Sequence, residues 1–135
     1  MRPTAFHHVG LIVESIDAAL PLWEAFGYRV DIRVSDPIQK ADIALLARDG
    51  EPYIELVAPL GPDSPSHGWL KRIKAGAYHT CFLVADMTFA LNELAAAGFV
   101  SVMAPVPAVA FGGRLVSFVW SKSTGLLELL QATTT

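Results

Sequence analysis

Displaced by 71 positions, the chain falls on itself: His8 meets His79, Val13 meets Val84, Leu20 meets Leu91, Gly27 meets Gly98 and Tyr28 meets Phe99. Agreement over a whole supersecondary unit marks an internal duplication, so the fold must be assembled from two copies of one module. Each copy opens on a period-2 apolar segment, HHVGLIV or YHTCFLV, which suits a strand. A capping residue and a helix follow. Ser15 or Asp17 can cap IDAALPLWEAF, Asp86 can cap MTFALNELAAA, and Gly27 and Gly98 end the two helices. Pro21 falls inside the first helix, where a distorted first turn is expected.

Three further strands are predicted in each copy, near 28–34, 41–48 and 52–58 and near 99–103, 114–120 and 125–131. The fold class is therefore α+β: two tandem βαβββ modules whose curved mixed sheets must enclose a shared cavity, because open sheets cannot leave concave apolar faces in water. Module one is placed at 1–62 and module two at 77–132 of a single domain spanning 1–135. The linker, 63–76, is rich in Pro, Ser and Gly, with a short helix expected at 66–73. The tail Thr133-Thr134-Thr135 is expected to fray.

The duplication also sorts the polar residues. His8 has a partner in His79, whereas His7 aligns with Tyr78 and is left to packing. Glu55 in YIELVAP and Glu128 in GLLELLQ form a second matched pair, offset by 73 because of a two-residue insertion. Each glutamate is flanked by apolar neighbours, Ile54 and Leu56 or Leu127 and Leu129, which on a strand share the opposite face. If those neighbours meet a helix, the carboxylates face the cavity, and a buried carboxylate is costly unless it holds a cation. Two imidazoles and two carboxylates suit a first-row divalent ion. Taken singly, a strand histidine is more often structural and a strand glutamate more often solvated, so at this level both readings of the four residues stand.

Other features carry less. Cys81 lies on the His79 face and reads as a small buried apolar side chain; His67, in the linker, reads as solvent-facing. The AFGGR segment, 110–114, is a glycine turn or lid before a strand. Gln39 and Arg114 are the candidate substrate-binding residues, and Asp42 lies near the same sheet.

Ten basic and thirteen acidic residues give a net charge of −3 with no run of like charge, which speaks against nucleic acid or a membrane surface and for a small-molecule partner. Cys81 is the single cysteine, so no intrachain disulfide can form and the cytoplasm is the default compartment. MRPTAF has no apolar signal core, and no apolar run approaches the roughly 20 residues of a membrane helix.

The HHVGLIV strand, the IELVAPLGPDSP segment, the YHTCFLV strand and the terminal GLLELLQ together resemble the vicinal oxygen chelate superfamily, and within it the methylmalonyl-CoA epimerase and glyoxalase I branch. The resemblance covers nearly the whole chain. It implies one divalent metal ion (Co, Ni, Zn, Mn or Mg) on His8, Glu55, His79 and Glu128, with Glu128 also a proton carrier. The implied reaction is proton removal beside a thioester or ketone carbonyl, on a substrate such as an acyl-CoA. Alternatives on the same scaffold are a glyoxalase I-type lyase acting on a thiol adduct and a non-catalytic drug-binding protein. High apolar content and the likeness together point to a homodimer. One position departs from the epimerase pattern: a segment like VPEQG reads DPIQK here, which puts Ile38 where a second glutamate is expected.

Overall fold

The computed structural model describes residues 3–133; Thr134 and Thr135 of the expected frayed tail lie outside them. In chain order the elements are β1 (Ala5–Ile12), α1 (Ile16–Glu24), β2 (Arg29–Asp36), β3 (Ala41–Ala47), β4 (Tyr53–Pro59), α2 (His67–Ile73), β5 (Gly76–Val84), α3 (Met87–Ala96), β6 (Val100–Pro107), a 3-10 turn at Val109–Phe111, β7 (Leu115–Ser121) and β8 (Gly125–Gln131). Each copy is thus a βαβββ run, with α2 between them. The backbone divides into two compact units, one from His8 to Tyr78 and one from His79 onward that also takes the residues before His8.

In the His8–Tyr78 unit, β1 pairs in parallel with β4, β4 antiparallel with β3, and β3 antiparallel with β2. The parallel step follows from α1, which carries the chain back to the start of the sheet. Ser15 caps α1 by accepting the Ala18 N–H at 3.1 Å. Asp17, the other expected cap, instead accepts from Arg33 at 2.7 Å. The helix continues through Pro21. It stops where Tyr28 N–H donates to Trp23 O and Gly27 N–H to Glu24 O, a closure that needs a left-handed residue, and Gly27 has φ +89°. Val13, Ile16, Ala44, Leu46 and Leu56 pack between this helix and the sheet. On the sheet's other face Ile12, Ala41 and Val57 are covered by Trp69, Leu70 and Ile73 of α2.

The second unit repeats the plan: β5 is parallel to β8, β8 antiparallel to β7, and β7 antiparallel to β6. Asp86 caps α3 by accepting Phe89 N–H at 2.8 Å, and Phe99 N–H to Leu94 O with Gly98 at φ +105° closes it. Val84, Met87, Ala90, Leu94, Val119 and Leu129 form the core between helix and sheet. β6 extends past the expected 99–103 to Pro107, with register shifts on either side of Met103. Pro105 and Pro107 lack an N–H to donate, which the edge of a sheet tolerates and an interior strand does not.

Candidate functional site

Each unit builds one His–Glu pair by the same register. In the first, His8, Gly10 and Ile12 share a face of β1, and Gly10 stands opposite Glu55 on β4. Glu55 Oε1 lies 3.3 Å from His8 Nε2. Ile54 and Leu56 turn to the α1 side, as the alternation requires. In the second, Cys81 stands opposite Glu128, and Glu128 Oε1 lies 3.1 Å from His79 Nε2. Leu127 and Leu129 turn to the α3 side. All four residues are buried: His8 is 0% exposed, Glu55 3%, His79 4% and Glu128 2%.

The halves differ in what backs the imidazole. Phe118 of β7 meets the His79 ring edge to face, with centroids 5.3 Å apart and planes at 87°. The residue in the Phe118 register of the first unit, opposite Glu55, is Leu45.

Buried imidazole and carboxylate pairs fit a divalent ion. With metal–ligand bonds of about 2.0–2.2 Å, neighbouring ligand atoms sit about 3.0–3.5 Å apart. The 3.1 and 3.3 Å separations fall in that interval. They also suit an N–H donor to a carboxylate where Nε2 carries the ring's hydrogen, in the neutral or the charged imidazole. Nitrogen and oxygen donors of this type accept Zn, Co, Ni, Mn or Mg.

The remaining sequence candidates are placed as follows. Gln39 lies in the β2–β3 turn, half-buried, where its backbone N–H donates to Asp36 Oδ1 at 3.0 Å and its Nε2 to Asp36 Oδ2 at 3.3 Å. Ile38 is 47% exposed in that turn and brings no ionisable group to it. Arg114 donates from Nε to Phe111 O at 3.2 Å and from Nη1 to Gln131 O at 3.3 Å, tying the glycine turn to β8. The turn itself is a 3-10 segment closed by Gly112 and Gly113, both at positive φ. His7 packs edge-on against Phe111 at 5.3 Å. Cys81 is fully buried, as expected for a small apolar side chain, and Asp42 is bonded to Ser35. His67 opens α2 and is half-buried rather than solvent-facing.

Two functional-looking groups were not singled out in the sequence. Asp36, 1% exposed, holds the β2–β3 turn by accepting the Ile38 and Gln39 N–H groups. Ser64, 5% exposed, donates to Gln39 O at 2.9 Å and fastens the turn to the PLGPDSP loop. The available signal was the Asp-Pro step, which favours an aspartate accepting from the turn it opens.

A duplicated βαβββ plan, with a buried His–Glu pair in each half, defines the class: the chain belongs to the glyoxalase/bleomycin resistance protein/dioxygenase superfamily, whose profile matches residues 7–118. It is similar to the ethylmalonyl-CoA/methylmalonyl-CoA epimerase of Cereibacter sphaeroides, 29% identical over 129 residues that make up 93% of this chain and 96% of that one. It is 31% identical over 130 residues to the mitochondrial methylmalonyl-CoA epimerase of Homo sapiens, covering 93% of this chain and 73% of the human one. A solved hypothetical protein from Bacillus halodurans matches with a TM-score of 0.86 at 26% identity, over 97% of this chain and 96% of that one. The fold is that of the vicinal oxygen chelate proteins.

Proposed function

We propose that this chain is an acyl-CoA epimerase or isomerase that removes a proton from the carbon beside a thioester carbonyl, with one divalent ion held jointly by His8, Glu55, His79 and Glu128. The observation that carries the proposal is the repetition: two copies of the module bury the same His–Glu pair at 3.3 and 3.1 Å. Two buried pairs at matched positions have no common structural need, since the residues that pack each sheet on its helix are different ones. When bound, the ion supplies Lewis-acid stabilisation of a developing enolate oxygen.

The protein's own groups do the rest. Glu128 holds Oε1 toward His79 and carries the abstracted proton on Oε2. Phe118 and the apolar strand faces exclude water from that carboxylate, which sharpens electrostatic contacts inside. Gln39, braced by Asp36 and Ser64, and Arg114, braced by two backbone carbonyls, orient the substrate. A homodimer and a cytoplasmic location belong to the same proposal.

Inversion of a stereocentre needs proton carriers on both faces of the planar enolate. Ile38 brings none to the β2–β3 turn, an observation that favours a second reading: a glyoxalase I-type lyase or another one-carboxylate reaction on the same ligand set. Both readings are tested by incubating the Co²⁺-loaded protein in D₂O with methylmalonyl-, ethylmalonyl- and other acyl-CoAs and, for the lyase, with a thiol adduct of a 2-oxoaldehyde, and following the hydrogen beside the carbonyl by mass spectrometry. Deuterium should enter with the wild type and be lost with Glu128→Gln. Exchange with inversion identifies an epimerase, and exchange without inversion the one-carboxylate reaction. An absence of exchange across the panel refutes proton abstraction on acyl-CoAs.

A further inference from the structure

Among the described residues most basic side chains are matched; those without a carboxylate are, besides Arg114, Lys122, which stands alone, and three that stand together. Among the described residues Arg29, Arg33, Lys40 and Arg48 are matched by Asp49, Asp17, Asp63 and Glu51, and Arg114 is bonded to backbone. Among the described residues no carboxylate lies within salt-bridge distance of Lys71, Arg72 or Lys74, and the segment 64–85 around them contains no acidic residue. Three unmatched cations thus stand within four positions. The helix dipole accounts for part of this, since Lys71 and Arg72 lie in the last turn of α2. It does not account for Lys74, which lies beyond the helix at φ +75° and ψ −55°, close to the strained γ-turn conformation that a residue with a side chain rarely adopts.

The position of α2 gives the charge its meaning. Trp69, Leu70 and Ile73 cover Ile12 and Val57, and these two lie on the same strand faces as His8 and Glu55. Val57 is two residues along β4 from Glu55 and Ile12 four along β1 from His8, so the helix sits about 7–13 Å along the strands from the ligand pair. Arg72 is already ordered, its guanidinium 5.0 Å from the centre of the Trp69 ring.

We propose that Lys71, Arg72 and Lys74 receive the phosphate groups of an acyl-CoA, fixing the nucleotide end of a substrate whose thioester end lies at the His8–Glu55 pair. The proposal rests on the acyl-CoA reading above and names the contact that would recognise the carrier. A ligand with three phosphate groups answers the three charges, and pantetheine, which is uncharged, offers them no anion to bind.

The test separates this contact from the chemistry. Binding of free CoA and of pantetheine to the intact protein is measured by calorimetry at low and high salt, for the wild type, for Lys71→Gln/Arg72→Gln/Lys74→Gln and for the control Lys122→Gln. All substituted side chains are exposed, and circular dichroism checks that the variants fold. CoA should bind the wild type, weaken about tenfold or more in the triple variant and with salt, and be unaffected by Lys122→Gln; pantetheine binding should not change. A triple variant that keeps wild-type CoA affinity overturns the proposal, as does a wild type that binds CoA no better than pantetheine. CoA binding lost in the triple variant while no acyl-CoA undergoes exchange supports this contact and refutes the reaction instead.

Discussion

A buried ion pair held for function should be a burden to the metal-free fold. His8 is fully buried and Glu55 is 3% exposed, so both groups lose their hydration, and the contact between them at 3.3 Å returns only part of it. The informative perturbation is His8→Phe with Glu55→Leu, which keeps ring and chain volume while adding apolar surface to a strand face that already carries Ile12 and Val57. Exchanging a buried pair for apolar side chains of like size is neutral or stabilising by about 1–4 kcal/mol. For 135 residues the unfolding entropy near the midpoint is about 0.28 kcal/mol/K, so in EDTA the double variant should melt up to about 14 °C higher than wild type. With Co²⁺ the order should reverse in part, because only the wild type gains from the ion. Differential scanning calorimetry reads both effects. A double variant that melts well below wild type in EDTA would show that the pair holds the fold together, and the argument from burial would be refuted.

The matching helix ends predict matching losses. Gly27→Ala and Gly98→Ala each force a side chain into a left-handed conformation, at φ +89° and +105°, with no close clash. Each should cost about 1–2 kcal/mol in urea unfolding, and a loss in only one would contradict the equivalence of the two ends. Leu56→Ala and Leu129→Ala, on the helix side of the strands that carry the glutamates, should each cost about 2–5 kcal/mol and leave metal binding within a fewfold of wild type. A large loss of metal affinity without loss of stability would contradict the division of faces. Asp17, Glu51 and Asp63 have their carboxyls lowered by hydrogen bonds from Arg33, Arg48 and Lys40. The stability they add is present above the unfolded values of 3.8, 4.5 and 3.8 and disappears as pH falls through the lowered folded values. Melting temperature should therefore fall at acid pH, slightly less so in Arg33→Gln or in high salt, since all three carboxylates are exposed.

Periodicity made much of the architecture legible. The strand carrying Glu55 shows apolar Ile54 and Leu56 on either side, and that alternation alone sends the carboxylate away from α1. Duplication then distinguished His8 from His7, whose ring packs on Phe111. Contacts made by groups distant in sequence were not legible. The Asp-Pro step in DPIQK signals an aspartate accepting from its own turn, but nothing in the local sequence announces that Ser64 reaches back to Gln39 O. Arg114 is a candidate substrate-binding residue by sequence, and nothing local shows that two backbone carbonyls also accept from its guanidinium. β6 runs beyond the expected 99–103 through Pro105 to Pro107, and a local rule that bars proline from strands knows nothing of whether a strand lies at an edge. The conformation of Lys74 is equally invisible, since a lysine gives no warning of positive φ.

The central claim is that the two His–Glu pairs share one ion rather than each holding its own or none. Titration of metal-free protein with Co²⁺, followed by its visible absorption, counts the ions directly. The account predicts saturation at about one Co²⁺ per chain, with that binding lost alike in His8→Ala and in His79→Ala. Saturation at two ions, or a variant in one half that binds as wild type does, would contradict it.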